Sequence, residues 1–320
     1  MNSCLIIGGS GYVGRNWARR LAERRRFDRI VLADVRPPSQ PLAKGMEFVQ
    51  CDVRQPLQFG DLKPEWLFNF AAVHREPGHP REEYFDTNLA GARNACAFAE
   101  QTGCKNILFT SSIAVYGSFD KPASETTKTY PASPYGISKL CAELIHHSWQ
   151  QAQTGRRLHI CRPGVIYGPG DPGNILRMIR AVRRGYFVFP GSRQLRKSYG
   201  YIEGLLDSFE FVMSRDDLQL TYNYAERQTE TLERLVQIVQ THFGKRVPVF
   251  TAPLPLLVAV AGLAQLLTGG RSPLHPVRVR KTASSTYIIP ESLVNMQFPF
   301  RYDFASSLTD WASKSPKDFS

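Results

Sequence analysis

The chain has 320 residues, 42% of them hydrophobic and 21% charged. That composition excludes a disordered or fibrous polypeptide and leaves one large or two small domains whose core stands without staples. Lys plus Arg exceed Asp plus Glu by 40 − 28 = 12, which points to an anionic partner without naming it.

Taken in chain order, residues 4–8 form an apolar run that leads straight into Gly8, Gly11 and Gly14 and then a helical stretch, 14–25. The G-x-x-G-x-x-G spacing suits a dinucleotide turn. The first glycine permits the tight turn, the second lets backbone approach a pyrophosphate, and the third lets helix and strand pack closely. The helix N-terminus adds free N–H groups and a positive dipole end. Gly8, Ser10, Gly11, Tyr12, Val13 and Gly14 are therefore candidate cofactor contacts. The first apolar run begins at Cys4, so no secretory leader is expected. A second strand, 29–33, ends at Asp34, about 20 residues past the last glycine, where a carboxylate accepts from ribose hydroxyls and repels a 2′-phosphate. NAD is expected over NADP, with Arg15 and Arg36 as the two side chains that could hold a 2′-phosphate instead.

Further strands are expected at 47–50, 66–71, 106–111 and 157–162, with helices at 84–102 and 134–153. Strands alternating with helices predict βαβ units and a parallel sheet whose ligands lie at the carboxyl ends of the strands. The fifth strand runs into Ser111 and Ser112, and the following helix carries Tyr135 and Lys139 four residues apart on one face. A free phenol has a pKa near 10 and is a poor base, but an ammonium beside it favours the phenolate. Tyr135 could then move the proton that accompanies hydride transfer, with Ser112 holding the reacting oxygen. The adjacent His146 and His147 point apart on a helix and lack a third ligand, and Cys4, Cys51, Cys96, Cys104, Cys141 and Cys161 form no C-x-x-C pair or zinc cluster. No metal is expected, and the thiols suit a reducing cytoplasm.

Beyond Tyr167 the Gly/Pro-rich stretch 168–173 reads as a loop, and helices with Pro-rich connections follow. Residues 156–197 hold ten basic side chains and one acidic one. This is either a solvated helix face or a groove for a phosphorylated ligand; no nucleic-acid motif accompanies it. The apolar stretch 253–267, broken by Pro255 and Gly262, is shorter than the roughly 20 residues a span needs. It is expected to be a buried or surface-docked helix, and no transmembrane segment is expected.

In combination and order, these motifs resemble the extended short-chain dehydrogenase/reductases of the NAD-dependent epimerase/dehydratase family, over nearly the whole chain. The resemblance implies an α/β fold: a Rossmann-type doubly wound parallel sheet in residues 1–168, interleaved with 198–224, and a smaller mixed α/β substrate domain, mainly 169–320. It implies that Asp52 and Val53 hold the adenine, Ala71 and Ala72 line the cofactor, and Asn88 ties the central helix to the neighbouring strand. It makes Ser112 the catalytic hydroxyl, Tyr135 the acid/base and Lys139 its partner and ribose contact. Pro163 lies in the segment 162–171 that passes the nicotinamide, and Asn174, Arg196 and Lys197 resemble contacts to a nucleotide sugar. Ile113 and Ala114 stand where family dehydratases carry Asp-Glu, and Ala114 where related decarboxylases carry a glutamate, so dehydration and decarboxylation are not expected. Gly204 replaces a frequent aspartate at a helix start, which should alter a cap. Val165 replaces an asparagine that binds substrate in some epimerases.

The expected function is a NAD-dependent 4-epimerase or 4-ketoreductase of a UDP- or GDP-sugar, working through a 4-keto sugar, as a cytoplasmic homodimer through helices 84–102 and 134–153. Val165 and the apolar 253–267 stretch suit an alternative, a dehydrogenase of a hydrophobic alcohol of the 3β-hydroxysteroid type. A third reading is a silent NAD-binding regulator, which tends to lose the tyrosine or lysine that this chain keeps.

Overall fold

A computed structural model describes residues 2–117, 121–171, 173–245, 248–272 and 275–320. The first part alternates β1 (Ser3–Ile7), α1 (Tyr12–Glu23), β2 (Arg29–Asp34), β3 (Met46–Gln50), β4 (Trp66–Asn69), α2 (Arg81–Thr102), β5 (Asn106–Thr110), α3 (Pro134–Gln151) and β6 (Arg157–Pro163). Then come β7 (Val165–Tyr167), α4 (Asn174–Arg184), β8 (Val188–Pro190), β9 (Tyr199–Tyr201), α5 (Ile202–Met213), β10 (Gln219–Tyr224) and α6 (Leu232–His242). The chain closes with β11 (Phe250–Ala252), α7 (Leu254–Leu267), α8 (Pro276–Thr282), α9 (Glu291–Asn295) and α10 (Phe304–Lys314).

Among the described residues the main sheet has seven strands in the order β10-β6-β5-β4-β1-β2-β3, all parallel. The order reverses beside β1, so the carboxyl ends of β1 and β4 flank the crevice where such sheets take ligands. Every residue of β1 is buried, as a strand covered on both faces must be. Cys4, Ile6, Leu32 and Phe68 point to one face and Leu5, Ile7, Val31 and Leu67 to the other. On the first face Trp17 of α1 meets Phe68 at 5.5 Å and Phe209 of α5 at 5.4 Å, both edge-on. Helices α2 and α3 pack together over the other face.

Arg20 of α1 is buried and locks α1 to α5. Its guanidinium meets Asp207 at 2.7 Å, Glu210 at 3.3 Å and, closer still, Glu203. Lys314 of α10 joins Glu203 at 3.3 Å.

Helix boundaries depart slightly from the sequence reading. Helix α1 starts at Tyr12 because Gly11 is its N-cap, and α2 starts at Arg81 with Glu82 and Glu83 in its first turn, where the helix dipole favours them. The two-stranded pairs β7–β9 and β8–β11 were not foreseen; three residues are too few to show alternation.

Two further sequence features take their place in the fold. Gly204 is the third residue of α5, whose N-cap position, Tyr201, makes no side-chain cap bond, and a Cβ on Gly204 would lie 2.3 Å from the Tyr224 hydroxyl. The glycine is there for that close approach. The basic run 156–197 forms no single groove. Arg156 and Arg162 are buried in ion pairs. Arg180 donates to the Asp318 carbonyl at 2.7 Å, Arg184 to that of Ser320 at 3.4 Å, and Arg193 pairs with Glu233.

Helix α7 breaks the pattern of burial. Leu266 and Leu267 are 78% and 77% exposed, Leu256, Val260 and Leu263 are also exposed, and Ala261 is its one buried residue. No helix of the described residues is long and apolar enough to cross a membrane.

Candidate active site

The site grows from four segments at the carboxyl edge of the sheet. After β1 the chain turns tightly, with the Gly8 N–H donating to the Ala33 carbonyl at 2.8 Å and the Gly9 N–H sharing it at 3.2 Å. A Cβ on Gly14 would sit 2.2 Å from the Gly8 carbonyl oxygen, so only glycine lets α1 start this close to β1. The Ser10 N–H donates to Asp34 at 3.1 Å and the Arg36 N–H to the other Asp34 oxygen at 3.2 Å. Asp34 is thus aimed beside the turn. The hydroxyls of Ser10 and Tyr12 are buried with no hydrogen-bond partner among the described residues, and burial pushes the Tyr12 phenol far up.

After β5, the Ser112 hydroxyl accepts from the Ala114 N–H at 3.1 Å and caps a short 3-10 turn, Ile113–Tyr116. The same hydroxyl faces the Tyr135 phenol, the second residue of α3, whose start is capped by Ser133 with Pro134 at the first position. Burial raises the Tyr135 pKa; the Ser112 hydroxyl opposes that rise and the Glu76 carboxylate adds to it.

One turn further along α3, Lys139 is 1% exposed. Its amine lies 4.1 Å above the Phe109 ring, against which His146 also stacks, at 4.2 Å. It has no hydrogen-bond partner among the described residues. Burial pushes the Lys139 amine down to about 7, against the pull of Glu143. Glu143 itself holds Arg162 of β6 in a buried two-point pair at 2.9 and 2.6 Å. Arg162 donates on to Tyr116 at 3.0 Å, and Tyr116 to Asn223 at 2.8 Å. Asn88 of α2 grips the Val73 N–H and carbonyl at 2.9 and 3.1 Å and donates to Ser138 at 2.8 Å. Ser138 in turn donates to the Tyr135 carbonyl at 2.8 Å. Asn88 therefore ties the segment after β4 to the helix that carries Tyr135.

Other predicted residues fall as follows. Ala71 follows β4, its N–H side close against Gly8, and the Ala72 carbonyl lies 3.5 Å from His74. Pro163 ends β6. The Val53 carbonyl accepts from Asn94 at 2.8 Å, and the Asp52 carboxylate is gripped by Arg54, whose hydrogen bonds lower its pKa. Arg15 reaches away from Asp34 to the Gly170 carbonyl at 2.9 Å. Asn174 opens α4 with an exposed side chain. The Lys197 amine donates to the Lys281 carbonyl at 2.6 Å and Arg196 to that of Thr229. Both head groups are engaged by backbone.

Sequence reasoning missed Glu76, Glu143 and the Tyr116–Asn223 relay. Glu143 had a readable signal, because it lies four residues past Lys139 on the same helix. Glu76 had none: it sits in a loop, paired with Lys281 of α8 at 2.6 Å, and only folding brings the two together.

A glycine turn with a carboxylate beside it, two orphaned hydroxyls, and a buried unpartnered lysine next to a Tyr–Ser pair fit a nicotinamide dinucleotide. This is the constellation of an extended short-chain dehydrogenase/reductase. The profile of the NAD dependent epimerase/dehydratase family matches residues 4–225, and the chain belongs to that family. It is 28% identical over 323 aligned positions, covering 96% of this chain and 93% of the relative, to the N-acetyl-alpha-D-glucosaminyl-diphospho-ditrans,octacis-undecaprenol 4-epimerase of Escherichia coli O157:H7. It is 26% identical to the UDP-glucose 4-epimerase 3 of rice (Oryza sativa subsp. japonica), covering 78% and 79%. Its fold superposes on UDP-glucuronic acid 4-epimerase from Bacillus cereus in complex with NAD, with TM-score 0.76, 15% identity and coverage of 99% and 100%.

Proposed function

We propose that this protein is a NAD-dependent 4-epimerase of a hexose or N-acetylhexosamine carried on a diphosphate, the linkage shared by the sugars in its relatives' names. The observation that carries the reading is the Ser112–Tyr135 pair with a buried, unpartnered Lys139 one turn behind it. The turn 8–14 and Asp34 hold the pyrophosphate and adenosine ribose, with Val53, Asp52, Ala71, Ala72 and Pro163 walling the rest. Lys139 donates to the nicotinamide ribose. When bound, NAD supplies the acceptor that takes a hydride from sugar carbon 4 and returns it. Tyr135 removes the 4-hydroxyl proton and later gives it back. Ser112 holds the same oxygen, and the resulting 4-keto sugar turns over before reduction on its other face. Asn88 fixes the height of Tyr135 through Ser138.

The test is direct. Purified protein is checked for bound NAD by native mass spectrometry. It is then incubated with UDP-glucose, UDP-N-acetylglucosamine and a short-chain prenyl-diphosphate N-acetylglucosamine, and products are read by NMR. Inversion at carbon 4 of one of them, lost about 10²–10⁴-fold in Tyr135→Phe, is the expected result. Free NADH released in step with product would replace this reading with a dehydrogenase.

A further inference from the structure

Between Glu233 and Glu291 the sequence has no acidic residue and seven basic ones. In the middle of this stretch lies α7. Leu256, Val260, Leu263 and Leu267 recur at helical spacing along its outer face and all are exposed. A contiguous apolar stripe of this kind on a globular surface marks an interaction site. At 14 residues and about 1.5 Å per residue the helix is about 21 Å long, short of the roughly 30 Å of a bilayer core but suited to lying in its surface. Beside it, Phe250 of β11 and Val188 of β8 are register partners and both exposed, extending the apolar edge with an aromatic ring. Helix α8 packs on α7 and carries Arg280, which, like Arg271 before it, has no ion-pair partner among the described residues. The exposed stripe, the unpaired Arg271 and Arg280, and a sequence stretch without acids are complementary to a negatively charged lipid surface; Glu76, the acid that meets α8, is neutralised by Lys281. A second copy of this basic face would be repelled.

We infer that the α7–α8 face docks this protein on an anionic lipid bilayer, with the active site at its rim. The link to the site is direct: Arg278 of α8 donates to the Pro77 carbonyl at 3.1 Å, and Lys281 pairs with Glu76 at 2.6 Å, the same Glu76 whose charge is felt by Tyr135. Resting on the proposed 4-epimerase reading, this placement assigns a lipid-linked diphosphate sugar as the substrate class, with the lipid remaining in the bilayer.

The test uses the full chain in vesicle flotation. Vesicles of phosphatidylcholine alone are compared with vesicles containing about one-third phosphatidylglycerol. About tenfold more protein should float with the anionic vesicles. The doubly substituted Leu263→Asp/Leu267→Asp chain should lose that binding while keeping its melting temperature and bound NAD, since both leucines are exposed. Arg271→Glu/Arg280→Glu should lose it as well. Failure to float, or equal flotation by the leucine variant, overturns the inference. So does a concentration-dependent dimer that the leucine variant abolishes, because a second copy would then be the occupant. Flotation requires no turnover, and turnover of the short-chain diphosphate sugar requires no vesicles. Loss of one result therefore leaves the other reading standing.

Discussion

Burial leaves the charge of Lys139 poised near neutral pH. Its amine titrates near 7 in the fold and near 10.4 in an unfolded chain. From pH 7 to 10 the unfolded state therefore binds more protons, and this group makes the fold more stable as pH rises. Glu226, buried and raised to about 8, acts in the opposite direction below pH 8. The clean window is thus pH 8 to 10: stability measured by denaturant should rise there in the native chain relative to Lys139→Met. Glu143 keeps the amine from falling further. Replacing Glu143 alone would strand Arg162 in the core at a cost of about 3–5 kcal/mol, so the informative variant is Glu143→Gln with Arg162→Met. Its Lys139 should titrate below the native value, read by ¹⁵N NMR of the amine, and turnover at neutral pH should fall while recovering in acid. An unmoved Lys139 pKa would show that the pair is only structural.

At the scale of elements, α1 is held by more than the glycine turn in front of it. Arg20 compensates three carboxylates of α5. Arg20→Met should destabilise the fold by about 3–5 kcal/mol in equilibrium unfolding, with part of the loss recovered when Glu203 is also made Gln. Gly204 offers a second check. Gly204→Ala should cost about 1–3 kcal/mol through the Tyr224 hydroxyl, and markedly less in a Tyr224→Phe background; equal costs in both would rule out that contact. The first half of the chain was legible because its signals are local. Strands β1, β2 and β5 are apolar runs ended by Gly8, Asp34 and the Thr110–Ser112 hydroxyls, and Tyr135 and Lys139 lie one turn apart. What stayed hidden depends on partners far along the chain. Strands β7, β8, β9 and β11 exist through pairing, not pattern. The resemblance to the family assigned Arg196 and Lys197 to a diphosphate, but no local signal showed that the Thr229 and Lys281 carbonyls hold their head groups.

Over the whole molecule, residues 316–320 bind its beginning to its end. The Asp318 carboxylate accepts from the Gly170 N–H at 3.1 Å and from the Trp311 ring N–H at 2.8 Å, Phe319 is buried, and Arg15 of α1 grips the same Gly170. Removing 316–320 should lower the melting temperature and weaken NAD retention together, since the loop that steadies α1 loses its far support; unchanged retention would uncouple them. The closing of the main sheet has its own consequence for synthesis on the ribosome. Strand β6 ends at Pro163, yet the strand that covers its outer edge, β10, begins at Gln219. While the intervening residues are being translated, β6 presents an uncapped ladder to its surroundings. A nascent chain stalled anywhere in that interval should recruit holding chaperones, and one released past residue 224 should not.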